Sequence, residues 1–151
     1  MDTLDETLLR IAIQQAQLAA QADEVPIGAV IVGSDGAILG YGQNRVIRDN
    51  DPTAHAEIVA LRECGAAIGN YRLAGCTVYT TLEPCAMCAG AMVHARITRL
   101  VYGAADPKAG AAGTVLDVIN HPQLNHQIQV TAGVLAEEYG EILRRFFRER
   151  R

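Results

Sequence analysis

Two short segments of the 151-residue chain contain residues that could bind a metal ion. The first is His55-Ala56-Glu57, and the second is Pro84-Cys85-Ala86-Met87-Cys88. Cysteines three residues apart in the first turn of a helix share one face, so both sulfurs can reach one ion, and His55 could supply a third ligand. One imidazole and two thiolates leave the fourth position of a tetrahedral Zn²⁺ open, which is typical of a catalytic zinc site.

Glu57 is the candidate proton carrier beside that site. A carboxylate near a zinc-bound water could accept its proton and return it to a substrate, because the metal lowers the pKa of the water to about 7. The spacing is an objection, since it places His55 and Glu57 roughly 200° apart around an ideal helix. The two side chains converge only if both lie in the first turn, where side chains tilt toward the helix N-terminus. The chemistry indicated is hydrolytic.

Each segment alone has other interpretations. A Cys-x-x-Cys pair also occurs in redox proteins and in structural zinc sites, and His-x-Glu occurs by chance in many helices. Cys64, Cys76 or His94 could complete a closed zinc site, although none of them stands at the usual paired spacing. The strand context of a thioredoxin-like motif is missing, and we interpret Cys64 and Cys76 as packed thiols.

The elements that must position these residues follow from periodicity and turn signals. Thr53 is predicted to cap a helix over residues 54–68, and Pro84 to start a helix that ends near Ala95. Residues 103–127 are predicted to form loops with a short helix between them. The other predicted elements are a helix over the first twenty or so residues, strands at 27–32, 37–42, 77–81, 100–102 and 128–130, and a helix at 135–151. The pattern predicts one α/β domain over residues 1–151, with a mixed five-stranded sheet between helices on both faces.

Composition and charge narrow the class of protein. Half of the residues are apolar and 20% are charged, as in a compact globular domain. The apolar stretches are shorter than the roughly 18 residues that span a bilayer, and the start lacks a basic signal-peptide region, so a cytoplasmic protein without a membrane partner is expected. The net charge is −4, yet five arginines and one glutamate give residues 144–151 a charge of +4. That segment could bind a phosphate backbone, or it could be a solvated helix end whose charge suits the helix dipole.

Taken together, the two motifs resemble the zinc-dependent nucleobase deaminases, whose signature is H-x-E with P-C-x-x-C. Residues 24–30, 51–57 and 81–91 and the closing Phe146-Phe147 are similar to the bacterial tRNA-specific adenosine deaminases, and the similarity covers essentially the whole chain. The resemblance implies the three-layer cytidine-deaminase fold, a homodimer and one zinc ion per subunit. It also implies conversion of the wobble adenosine of a tRNA anticodon stem-loop to inosine.

The resemblance further implies roles for individual residues. His55, Cys85 and Cys88 would bind zinc, and Glu57 would shuttle protons while zinc-bound hydroxide attacks C6 of adenine. The residues implied to bind the base are Val25, Asn44 and Ala56, and those implied to contact RNA are Asp106, Lys108, Arg148 and Arg151. Without the family, Asn44 could simply end a strand and Asp106 could belong to a turn.

Two further expectations concern the substrate and the assembly. The metal motif is less specific for substrate than for chemistry, so a deaminase of a free base or nucleoside, of the guanine or cytosine type, is the alternative. Gly90, Ala91 and Ala95 on the cysteine helix would permit close helix packing, which favours the homodimer that the family implies.

Overall fold

Five strands form one mixed sheet in the computed structural model, which describes residues 1–150. Strands β1 (Gly28–Val32) and β2 (Ile38–Gln43) form an antiparallel hairpin, and β1 also pairs antiparallel with β3 (Thr77–Leu82). Strands β3, β4 (Arg99–Ala104) and β5 (Gln129–Thr131) run parallel. The order across the sheet is β2-β1-β3-β4-β5, which confirms the predicted mixed five-stranded sheet.

Four helices cover the two faces of this sheet. Helices α1 (Leu4–Gln21) and α4 (Ala136–Glu149) lie on one face. Helices α2 (Ala56–Ile68) and α3 (Ala86–His94) lie on the other. The predicted three-layer α/β/α fold is therefore confirmed, and no helix within residues 1–150 has the length and apolar character needed to cross a membrane.

The hydrophobic core has one layer on each side of the sheet. Neighbouring strand residues point to opposite faces, so Val30 and Tyr79 pack under α1 whereas Ile31 and Val78 pack under α2 and α3. Tyr139 of α4 is fully buried and packs against α1. The residues of α2 and α3 that are predicted to carry chemistry thus project from helices that are anchored to the central strands.

The starts of α2 and α3 differ from the prediction. Thr53 does not cap α2, because its hydroxyl donates a hydrogen bond to Asp51 at 2.7 Å, and α2 begins at Ala56 with His55 as the N-cap. Helix α3 begins at Ala86 rather than at Pro84, with Cys85 as its N-cap. Both shifts are small, but they place two of the predicted zinc ligands at N-cap positions.

The prediction of a short helix within residues 103–127 is wrong. The described backbone there forms turns and one isolated bridge between Ala112 and Asp117. Gly113, with φ of 122°, interrupts any helical run at that point. At the C-terminus α4 ends at Glu149, slightly earlier than predicted.

Gly42 allows α2 to lie directly on β2. A Cβ atom at this position would be 1.9 Å from the carbonyl oxygen of Ala56, the first residue of α2. Any other residue would push this helix end off the sheet. The height of His55 and Glu57 above the sheet therefore depends on a glycine in the neighbouring strand.

Candidate active site

The N-termini of α2 and α3 meet at the carboxyl end of β3 and bring the three predicted zinc ligands together. His55 is the N-cap of α2, Cys85 is the N-cap of α3, and Cys88 lies in the first turn of α3. The Nδ1 atom of His55 lies 3.6 Å from the Sγ atom of Cys85 and 3.5 Å from that of Cys88. All three ligand atoms lie within 4.8 Å of one another. The structure therefore gathers three donors around one point.

The spacing of these donors fits zinc. Zinc bonds of about 2.0 Å to nitrogen and 2.3 Å to sulfur at tetrahedral angles would separate the two ligand atoms by about 3.5 Å. The two measured nitrogen–sulfur distances, 3.6 and 3.5 Å, match this separation. Two thiolates and an imidazole are also a ligand set that favours zinc over the harder divalent ions.

The charges at this cluster also favour a cation. Hydrogen bonds from Cys88 and His55 lower the pKa of the Cys85 thiol to about 3, although burial opposes the shift. The pKa of Cys88 is raised, because its proton is held in the hydrogen bond to Cys85, its thiol is buried and the Glu57 carboxylate is near. The two thiols thus keep one proton between them, and a divalent cation would remove the repulsion that retains it.

Glu57 lies in the first turn of α2, beside the ligand cluster. Its side chain is only 4% exposed, and this burial raises its pKa to about 7. His55 has an extended backbone with ψ of 154°, so the ideal helical angle of the sequence argument does not apply to this pair. The geometric objection is removed, because both side chains line the same cavity.

That cavity has a volume of about 150 Å³. Besides the ligands and Glu57, it is lined by Ile27, Leu82, Glu83, Asp106 and Ala109. The cavity is therefore bounded on one side by the metal-binding helix ends and on another by the loop that follows β4. It is open to small molecules but too small to hold more than one part of a larger substrate.

None of the three residues predicted to bind the base is among the described residues that line this cavity. Val25 lines a groove that shares Leu82 and Asp106 with the cavity. Asn44 is buried, accepts a hydrogen bond from the backbone of Val46 at 3.3 Å, and is not among the described residues of the cavity lining. Ala56 is fully buried between His55 and Glu57.

A cationic surface lies next to the groove. Lys108, Arg144, Phe147, Arg148 and Arg150 line one depression, which shares its first three residues with the groove. Of the predicted RNA contacts, Lys108 and Arg148 lie in this cationic depression. Asp106 lies between the groove and the cavity. Arg151 lies outside the described residues.

Sequence reasoning did not single out several residues of these surfaces. Arg144 was part of a general charge count, but only the fold brings it beside Lys108. Glu83 precedes the cysteine motif, yet its partners are 23 to 31 residues away in the chain, and no local pattern indicates them. The exposed ring of Phe147 lies beside four basic side chains. The helical spacing of residues 144–148 could have indicated two of them, Arg144 and Arg148.

Comparison with known proteins agrees with this geometry. Residues 2–104 match the family model of the cytidine and deoxycytidylate deaminase zinc-binding region. A tRNA-specific adenosine deaminase of Haemophilus influenzae is 50% identical over 147 residues, which cover 97% of this chain and 85% of that protein. A tRNA(Ile)-lysidine synthase of Deinococcus deserti is 47% identical over 150 residues, which cover 99% of this chain but 28% of that protein.

Among solved structures, one from a study of A-to-I editing by tRNA:A34 deaminases has a TM-score of 0.86 and 44% identity. The match covers 90% of this chain and 98% of that one. The zinc-binding region of the family model spans His55, Cys85 and Cys88, so the cluster described above is compatible with one zinc ion. The chain belongs to the cytidine and deoxycytidylate deaminase family and, within it, to the tRNA-specific adenosine deaminases.

Proposed function

We propose that this enzyme converts adenosine to inosine at the wobble position of a tRNA anticodon. The observation that carries the proposal is the buried Glu57 carboxylate beside a His-Cys-Cys cluster, in a cavity that shares Leu82 and Asp106 with the groove next to the cationic depression. A single base fits the cavity, whereas the groove and the cationic depression offer a path for flanking phosphates. The identity with proteins named for adenosine deamination in tRNA supports the same substrate.

In the proposed mechanism, His55, Cys85 and Cys88 hold the zinc ion. Bound there, zinc supplies a Lewis acid that makes water acidic enough to act as a nucleophile near neutral pH. Glu57 accepts a proton from the water that adds to C6 of the adenine and delivers it to ring nitrogen N1. It then transfers the second proton of the water to the amino nitrogen, the C6–N bond breaks, and ammonia leaves. The overall change is adenosine plus water to inosine plus ammonia.

We further propose that the surrounding residues hold the base and its flanking nucleotides. Val25 packs against the splayed-out base, Asn44 hydrogen-bonds it, and the backbone of Ala56 binds its ring edge. The extended substrate then follows the groove, where Asp106 accepts a hydrogen bond from a ribose hydroxyl and Lys108 meets a phosphate. Arg148 and Arg151 would contact the phosphate backbone of the RNA. Arg144 joins this group because it lines the same cationic depression as Arg148.

A homodimer is the proposed assembly. Helices α2 and α3 leave between them an apolar depression of about 740 Å³, lined in part by Leu61, Tyr71, Ala91 and Ala95. A Cβ atom at Gly90, the residue before Ala91, would meet nothing within 4 Å, so α3 also has open space for a partner at this position. Light scattering at micromolar concentration should give the mass of two chains, and a monomer would refute this proposal.

We also propose that residues 1–151 act as one catalytic module in the cytoplasm. Nearly the whole chain aligns within the much longer Deinococcus protein, as expected for a unit that folds and acts as one piece. The four cysteines are free thiols, which suits a reducing compartment. Limited proteolysis of the zinc-loaded protein should leave a single resistant fragment of nearly full length.

The substrate is tested with purified, zinc-quantified protein. An anticodon stem-loop with adenosine at the wobble position is assayed for inosine beside free adenine, adenosine, cytosine and guanine. We expect inosine in the RNA alone, and none with the Glu57→Gln variant at equal zinc content. Turnover of a free base without inosine in RNA would retain the deaminase chemistry and replace the tRNA substrate by the small-molecule alternative.

A further inference from the structure

Glu83 is a buried carboxylate that the mechanism above does not use. It directly follows the last residue of β3 and precedes Cys85 by two residues. It is 2% exposed and forms no ion pair with any basic side chain within residues 1–150. Its neighbours compensate the charge with donors from one loop. The backbone N–H groups of Asp106, Ala112 and Thr114 donate to it at 3.0, 2.9 and 3.2 Å, and the Thr114 hydroxyl donates as well.

These four donors require an acceptor with no hydrogens of its own. An ionised carboxylate has two oxygens that only accept, whereas a glutamine amide would turn one of the two ends into a donor. A donor facing the N–H groups of Ala112 or Asp106 would leave them unpaired in a buried place, which is costly. The need for all four bonds explains why a charged group is buried here without a counter-ion.

The loop held by Glu83 is a wall of the cavity. Residues 106–114 contribute Asp106 and Ala109 to the cavity that His55, Glu57 and Cys85 line from the other side. A backbone hydrogen bond also connects this loop to the residue before Cys85, since the N–H of Ala111 donates to the carbonyl of Pro84 at 2.8 Å.

Gly110 shows how closely this loop fits around the carboxylate. A Cβ atom on Gly110 would lie 2.3 Å from Oε1 of Glu83 and 2.6 Å from the carbonyl oxygen of Asp106. The loop therefore cannot approach more closely, and the hydrogen bonds prevent it from moving away. Glu83 therefore sets the distance between this loop and residues 84–88, the segment that contains the two cysteines.

We propose that Glu83 is a positioning residue that fixes the 106–114 loop as the substrate-facing wall of the cavity. It does not touch the reacting atoms, since its oxygens are occupied by the loop. The inference rests on the proposed function for its effect on RNA, but the loop contact itself can be measured without substrate. Misplacing a binding wall by about 1 Å can cost up to about a hundredfold in rate.

The test compares Glu83→Gln with Asp5→Asn in the zinc-loaded full chain. Asp5 is a control for general destabilisation, because it binds Arg99 at the opposite end of β4. For Glu83→Gln we expect faster amide hydrogen exchange in a peptide covering residues 104–116, unchanged zinc content, and a KM for the stem-loop raised about tenfold or more with a smaller change in kcat. Asp5→Asn should lower Tm without changing the hydrogen exchange of residues 104–116 or the KM.

A double-mutant cycle with Thr114→Val separates positioning from mere structural damage. If both residues act through the same loop, the double variant should be about as impaired as Glu83→Gln alone. Additive effects, or unchanged exchange in residues 104–116, would overturn the inference. A wild-type protein that forms no inosine would refute the proposed function instead, and the exchange measurement would still decide whether Glu83 holds the loop.

Discussion

The cationic depression contains an internal competitor for RNA, and removing it should strengthen binding. Glu141 on α4 accepts hydrogen bonds from Arg144 at 3.1 Å and from Arg148 at 3.0 Å. Two of the four basic side chains of the depression therefore share one carboxylate. A phosphate must either displace Glu141 or bind beside its negative charge. Glu141→Gln keeps the side-chain volume and removes that charge.

The expected gain follows from the number of cations and their exposure. Exposed ion pairs are weak, so the release of two arginines should tighten binding only about two- to fivefold at low salt. The salt dependence is more informative. For single-stranded nucleic acid, the slope of log K against log salt is about −0.7 for each phosphate neutralised, so the release of Arg144 and Arg148 could add at most two such increments. We expect Glu141→Gln to steepen the slope by about one such increment.

The assay is fluorescence anisotropy of a labelled anticodon stem-loop over a range of NaCl concentrations. Asp35→Asn, in the β1–β2 turn, makes the same change in net charge at the other end of the sheet and serves as control. Its Kd should change little, because salt screens charges beyond about one Debye length. Weaker binding by Glu141→Gln, or equal gains in both variants, would refute the assignment of this surface to RNA.

Four other changes test the site and the fold. Glu57→Gln should lower kcat by about 10⁴-fold while zinc content stays at one ion per chain, because the amide keeps the shape of the side chain but cannot carry a proton; turnover within tenfold of wild type would contradict its role. Cys88→Ser should reduce both zinc content, measured by atomic emission, and Tm, because ligand binding stabilises the native state. The pKa of Asp5 is lowered by its hydrogen bonds from Arg99 and Tyr79. The contribution of Asp5 to the free energy of unfolding is therefore fully present above the ordinary value of 3.8 and is lost as the pH falls through the lowered pKa. Urea unfolding should show Asp5→Asn less stable by about 2 kcal/mol at pH 7, with the difference shrinking in acid. Gly42→Ala should destabilise by about 3 kcal/mol in the same assay, since its Cβ would overlap the carbonyl of Ala56, and an unchanged midpoint would show that α2 can move aside.

The order of helices and strands could be predicted because it depends on local signals. The apolar stripe of α4, the turn at residues 33–36 and the β-branched run from Thr77 to Thr81 each indicate one element, and the structure contains all three. The zinc ligands could be predicted for the same reason, since Cys85 and Cys88 are neighbours in the chain. Only the partner of this pair, His55, required an association between distant segments.

The rest depends on contacts that no local pattern encodes. A short helix was predicted between the loops of residues 103–114 and 120–127. Instead, the carboxylate of Glu83 takes up the N–H groups of Ala112 and Thr114, and the chain pairs back through the bridge between Ala112 and Asp117. In the same way, Arg144 becomes a candidate RNA contact only because α4 packs beside Lys108. These are tertiary interactions across more than twenty residues of chain, and they decide the shape of the substrate site.

The error at Thr53 has a different cause, and it indicates what the site costs the fold. N-cap positions are normally held by serine, threonine, aspartate or asparagine, whose side chains bind the free N–H groups of the first turn. Here the caps of α2 and α3 are His55 and Cys85, and neither makes such a bond. Each helix therefore lacks a contribution of about 1 kcal/mol that an ordinary cap would give. The same unbonded caps leave the imidazole and thiol free to face each other and a metal ion. A rule based on helix stability selects Thr53 because it is the better cap, whereas the chemistry requires the poorer one.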